Sequence, residues 1–332
     1  MKTITVEEHL VSDELFKRTM KLISSDMDDE RKKFFYNRST AEGKLTEIEN
    51  YRLPFMDNAG VDIQVLSYVN LNTSGLENDE RNKLCHEANE FLKEQVDKYP
   101  DRFAAFACLP LWDVEESCKE LEKCVKDYGF KGALVQGKFD GHFLDEKQFF
   151  PIFEKSAELD VPIHFHPSMP VQEIQNYYYK SNDGSWSDEV ANEFGSTAIG
   201  WHLDIGLQVI RMILTGIFDK LPNLKFITGH WGEGMIEMLD RMDYMMPKSM
   251  TGLNKNISEY YKEHMYVTPS GIESPINLEA VTKYMGADHI IWAADYPYLR
   301  NETVVDFLMD SDLTDEEKEL ISHKNAEKLL KM

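Results

Sequence analysis

Short β-branched or aromatic runs alternate along the chain with longer segments whose apolar residues recur at helical spacing. The short runs predict strands over 2–7, 61–68, 103–108, 132–136, 161–166, 225–229, 265–269 and 289–293. The spaced segments predict helices over 12–24, 46–59, 77–99, 114–128, 147–159, 205–221, 234–246 and 275–285. Two more, over 302–309 and 315–330, close the chain. Strand–helix alternation implies a parallel sheet with right-handed crossovers. Eight such units over this length predict an α/β fold, a (βα)8 TIM barrel, with a doubly wound open sheet as the other reading. Residues 1–332 read as one barrel domain. Two stretches break the regular unit, 25–45 and 167–200. The second follows strand 5 and carries Tyr177, Tyr178, Tyr179 and Trp186. Long connections in a compact domain are functional or disordered, and these aromatic residues argue for an inserted cap.

Composition narrows the partners. The 332 residues carry 36 Lys+Arg and 59 Asp+Glu, a formal charge of −23. Such a chain repels nucleic-acid phosphates and anionic lipid, so neither a nucleic acid nor a membrane is expected as partner. No apolar run reaches the ~18 residues of a membrane helix. The first residues form no signal or transit peptide. The four cysteines show no CxxC spacing, which reads as a cytoplasmic chain with reduced thiols.

Chemistry gathers at the predicted strand ends. Strand 1 ends in Glu7-Glu8-His9, strand 5 in His164-Phe165-His166, strand 6 in Gly229-His230 with Glu233 close behind, and strand 8 in Ala294-Asp295. In a parallel barrel all these ends meet at one mouth. Residues i and i+2 of a strand share a face, so Glu7 aligns with His9 and His164 with His166. Carboxylate and imidazole together suit Zn2+ or Mn2+. Two carboxylates offset a divalent charge and leave a neutral cluster that accepts an anionic substrate. Taken singly, each motif has a plainer reading. A strand histidine is packing, Gly229 and Gly232 permit a tight turn, and Asp295 caps a helix. Their joint placement on four strand ends favours a metal centre.

The ordered motifs VEEH (6–9), DRFAAFACLPL (101–111), GFKGALVQG (129–137), VPIHFHP (161–167), ITGHWGEG (227–234), MYVTPSG (265–271) and GADHIIWAADYPY (286–298) carry a specific resemblance. The chain resembles the metal-dependent decarboxylase branch of the amidohydrolase superfamily, almost end to end. That branch includes the decarboxylases of dihydroxybenzoates, 5-carboxyvanillate and aminocarboxymuconate semialdehyde. The resemblance implies one divalent metal, Zn2+ or Mn2+, held by Glu7, His9, His166 and Asp295. It implies that His230 contacts substrate or water, with Glu233 as its hydrogen-bond partner, and that Arg241 lies in the pocket region. Glu7-x-His9, where other members carry HxH, points to an aromatic carboxylate bearing a neighbouring hydroxyl. Gln136 and His164 are further candidates for substrate contact. His202 reads as a residue at a helix start, without a catalytic role. Asp295 is then the acid that protonates the ring carbon. A hydrolase or hydratase using metal-activated water is the alternative on the same scaffold, and a non-catalytic metal-binding protein a remoter one. A homo-oligomer, dimer or tetramer, is implied by the resemblance alone.

Overall fold

The computed structural model describes residues 1–23, 36, 39–69, 71, 73, 75–139, 141–299 and 302–332. Most of the 25–45 connection lies outside them. The strands run β1 (Ile4–Leu10), β2 (Ile63–Tyr68), β3 (Phe103–Ala105), β4 (Ala107–Cys108), β5 (Ala133–Gln136), β6 (Lys138–Phe139), β7 (His142–Phe143), β8 (Ile163–His166), β9 (Phe226–Thr228) and β10 (Met265–Val267). Helices stand between most of them, including Asn78–Lys98, Val114–Lys126, Phe150–Leu159, Gly200–Leu214 and Pro275–Met285. The order is that of an α/β fold with parallel strands. The chain divides into two compact units, Met1–Leu134 with Thr268–Met332, and Val135–Val267.

In the first unit β1, β2 and β3 form a parallel ladder. The run expected as one strand over 103–108 is split, because Phe106 changes partner. Its N–H donates to Leu66 O at 2.9 Å, and that of Ala107 donates to Gly132 O at 2.8 Å. The strand expected over 289–293 does not form a ladder. The chain there is extended but spreads its hydrogen bonds. Trp292 O accepts from Val6 N at 3.0 Å, Trp292 N donates to Ile321 O, and Ala294 N donates to the Glu8 carboxylate at 2.8 Å. Trp292 is fully buried, with its indole N–H on Val304 O and its ring stacked on Phe307.

That Glu8 carboxylate belongs to a buried polar network. Gln64 Nε2 donates to Glu8 Oε2 at 2.9 Å, and Arg52 Nη1 donates to Gln64 Oε1 at 2.8 Å. Arg52 also bonds His9 O and lies 4.6 Å from the Tyr296 ring centroid. Both Glu8 and Arg52 have no exposed surface. Burial pushes the Glu8 carboxyl up to about 8, against the pull of the Ala294 N–H and the Arg52 charge. Burial likewise brings the Arg52 guanidinium down to about 10.

The second unit is built around aromatic packing. β8, β9 and β10 are parallel, with Ile163 and Met265 both in register with Phe226. Phe165 meets Phe226 edge-on at 4.8 Å, Phe218 meets it at 5.2 Å, and His264 stacks on Phe218 at 4.1 Å. His264 Nδ1 donates to Leu224 O, which satisfies its polar edge inside the cluster. An antiparallel pair, β6 with β7, was not foreseen from the sequence. It is too short to show a period. The 167–200 stretch is largely helical, with turns at Gln172–Ile174, Gln175–Tyr179, Asp188–Glu193 and Phe194–Ala198. Trp186 Nε1 donates to Tyr179 O at 2.8 Å, and Phe194 packs edge-on against Tyr179.

Above about pH 8, where Glu8 is ionised, removing Arg52 leaves a buried carboxylate uncompensated, at a cost of about 3–5 kcal/mol. Arg52→Met should therefore lower the unfolding free energy obtained from urea denaturation at that pH by that much. Adding Glu8→Gln should recover part of the loss. A double variant no better than the single one would show that the two charges do not compensate each other.

Candidate active site

In the first unit, β1 carries two of the expected ligands, though not by regular alternation. Glu7 has φ 68°, and the β1–β2 register shifts between Thr5 and Glu8. This bulge re-aims the side chains. Glu7 Oε2 accepts from Thr268 Oγ1 at 3.0 Å and from Ser270 Oγ. His9 Nδ1 meets Ser67 Oγ at 2.9 Å, and its Nε2 lies 3.2 Å from Asp295 Oδ1. The donor atoms of Glu7 and His9 lie within 4.8 Å of each other. Glu7 and His9 have no exposed surface, and Asp295 is 8% exposed. Two carboxylates and an imidazole thus converge in a buried space. The hydroxyls of Thr268, Ser270 and Ser67 orient them from behind, as outer partners of metal ligands do. This donor set fits a divalent cation such as Zn2+ or Mn2+.

In the second unit His166 ends β8, half-buried. Its Nδ1 lies 2.9 Å from Pro167 O, a carbonyl that only accepts. Nδ1 is therefore the protonated nitrogen and the neutral ring carries its lone pair on Nε2, the state a metal ligand requires. His164 lies on the same strand, in register with Ile227, and is fully buried.

The GHWGEG segment follows β9. His230, Trp231, Gly232, Glu233 and Gly234 all have positive φ, between 47° and 83°. This corrects the expectation of a right-handed helix beginning at 234. A left-handed turn intervenes, and the regular helix begins only at Leu239. Gly229, expected to ease the turn, has an ordinary extended φ of −77°. Gly232 has φ 83°, and a Cβ there would come within 2.8 Å of Tyr261 Oη. Each non-glycine residue in this conformation costs roughly 1–2 kcal/mol. The turn places both imidazoles of the segment's neighbourhood on one carboxylate. Glu233 Oε1 accepts from His230 Nδ1 at 2.9 Å, and Oε2 from His202 Nδ1 at 2.7 Å. Burial raises the Glu233 carboxyl, but the His230 charge and the His202 hydrogen bond outweigh it and hold the group below the usual carboxylate range.

Gly137, directly after Gln136, donates its N–H to His166 O at 3.1 Å. Gln136 is exposed at the C-terminal end of β5, and Arg241 is exposed on the helix Leu239–Met245. The orientation of Glu233 falls to His202, a residue read from the sequence as a helix start only. Thr268 and Ser270 lie in the motif MYVTPSG, which by sequence alone assigns them no role. Nothing local in the sequence marks them, because their partner Glu7 is more than 260 positions away.

The chain can now be set beside known proteins. It is 31% identical over 302 residues to the gamma-resorcylate decarboxylase of Polaromonas sp. strain JS666, covering 87% of this chain and 89% of that protein. Its fold matches a putative amidohydrolase from Staphylococcus aureus with a TM-score of 0.86 and 39% identity, covering all of both chains. It matches a dihydroxybenzoic acid decarboxylase from Polaromonas sp. JS666, solved with manganese and 2-nitroresorcinol, with a TM-score of 0.83 and 29% identity, covering 99% of this chain and 97% of that one. Residues 29–332 match the amidohydrolase family as a whole, and the chain belongs to that family.

Proposed function

We propose that this protein is a metal-dependent, non-oxidative decarboxylase of hydroxybenzoate-type aromatic carboxylates. The observation that carries the reading is the buried convergence of Glu7, His9 and Asp295. The relatives support it, since a protein similar over nearly its whole length decarboxylates a dihydroxybenzoate and holds manganese.

Glu7, His9, His166 and Asp295 would hold the one divalent ion, manganese or zinc. Bound there, the ion supplies a positive centre for a carboxylate oxygen and an adjacent phenolate. The chain's own groups do the rest. Asp295 holds a proton and delivers it to the ring carbon that bears the carboxylate. The bond to the carboxyl carbon then breaks, and its electron pair restores the aromatic ring as CO2 leaves. His230, with Nδ1 held by Glu233, presents Nε2 to the substrate hydroxyl and moves a proton there. Gln136, His164 and Arg241 complete the substrate contacts, Arg241 by answering a second negative charge. The 167–200 insertion acts as a cap that excludes water from the ring. In the same reading the βα units close into a (βα)8 barrel. No helix among the described residues is long and apolar enough to cross a membrane, and none of the four cysteines is in a disulfide, which supports a reducing, cytoplasmic setting. The exposed Tyr177, Tyr178 and Leu207 offer apolar surface for a second copy of the chain.

The direct test incubates metal-loaded protein with a panel of hydroxybenzoates and follows CO2 and ring absorbance. CO2 from an ortho-hydroxy acid is expected. Hydrolysis of an amide or ester with no CO2 from any member would replace this reading with the hydrolase one. Asp295→Asn should lower turnover by about 10^2–10^4-fold, with the far-UV spectrum unchanged. Near-normal CO2 release would remove Asp295 as the proton donor. Treatment with a chelator should abolish turnover and lower the melting temperature, and Mn2+ or Zn2+ should restore both. Full activity in metal-free protein would exclude a metal role.

A further inference from the structure

His202 has surroundings that a helix-start residue does not need. It stands half-buried in the first turn of the helix Gly200–Leu214, and its ring centroid lies 4.2 Å from that of His230. Its Nδ1 donates to Glu233 Oε2 at 2.7 Å. Its Nε2 lies 2.9 Å from the Trp201 indole N–H, which only donates, and 3.0 Å from Thr197 O, which only accepts. Both protonation states of the ring therefore have a matched partner. Neutral His202 keeps its proton on Nδ1 and takes the indole hydrogen at Nε2. The imidazolium keeps the same Nδ1–H and hands its Nε2–H to Thr197. In either state the bond to Glu233 is unchanged.

That constancy matters for His230. A buried carboxylate with one imidazole partner is free to rotate, and its second oxygen is left without a donor. With His202 on Oε2, only Oε1 remains for His230 Nδ1. The His230 ring is then fixed in one tautomer, with the Nε2 lone pair directed away from Glu233. The arrangement resembles a general base held by a carboxylate, except that the carboxylate is itself held by a second histidine.

We propose that His202 is a positioning residue of this site, which by occupying Oε2 of Glu233 reserves Oε1 for His230 and so sets the nitrogen that His230 offers to substrate. The kinetic part of this assignment rests on the decarboxylase reading, and the spectroscopic part does not. Three substitutions separate it from packing. The asparagine amide nitrogen occupies the place of imidazole Nδ1, and the glutamine amide nitrogen that of Nε2. H202A should lower kcat by about 10–100-fold, the range for loss of an orienting partner, with KM changed by less than about twofold. H202N should recover most of kcat and H202Q should not. In protein with 15N-labelled histidine and zinc bound, the His230 Nδ1 proton should move downfield in H202A, because Glu233 then has one donor to bind. It should return in H202N and not in H202Q. Equal behaviour of H202N and H202Q, or a wild-type kcat and unmoved His230 signal in H202A, would reduce His202 to packing. Should H202A not fold, the asparagine and glutamine variants carry the same comparison. A wild-type protein that releases no CO2 but shows the expected His230 shifts would overturn the decarboxylase reading and leave the His202 assignment standing.

Discussion

The buried cluster of Glu7, His9 and Asp295 depends on one interaction, the chain from Arg52 through Gln64 to Glu8. It ties the helical segment before β2, the strands β1 and β2, and the extended segment that ends in Asp295. Glu8 stands between Glu7 and His9 in sequence, so whatever fixes Glu8 fixes the direction of its neighbours. A guanidinium and a carboxyl group without water are costly to hold, and they persist because Gln64, the His9 carbonyl and the Ala294 amide answer most of their polar atoms. The extended segment gives up a regular ladder in exchange. Its Ala294 N–H turns to a carboxylate where a strand would have used a backbone carbonyl.

Both clusters rest on backbone in the left-handed region. Glu7, His230, Glu233, Ser270 and Asp295 all have positive φ, although none is glycine. Such residues persist only where the surroundings over-determine them, and they concentrate at functional sites. Here the surroundings are visible. Thr268 and Ser270 hold Glu7, backbone amides and Gln64 hold Glu8, and two imidazoles hold Glu233. The strain re-aims polar groups that regular strands would turn elsewhere.

The positions of the elements were legible from the spacing of apolar residues. The helix over 275–285 matches its expected bounds, and those over 77–99 and 114–128 differ by one or two residues. Three features were not legible. The strand over 103–108 breaks at Phe106 because two neighbours compete for its backbone. The segment over 289–293 has a strand's composition but not its partners. The hairpin of β6 and β7 is two residues on each side. All three are settled by what lies across from the chain, which a local pattern does not contain.

By itself, then, the sequence determined the alternation of strands and helices, the family, and the residue types of the proposed metal centre. Motifs at strand ends are local, and their donor chemistry follows from residue identity. Only the tertiary structure decided how those residues are aimed. The bulge at Glu7, the left-handed turn at 230–234 and the pairing of His202 with Glu233 all join positions that spacing cannot relate. They exist because buried polar groups must find partners wherever the fold brings them. That requirement acts through space, and the sequence shows it only after the chain has closed upon itself.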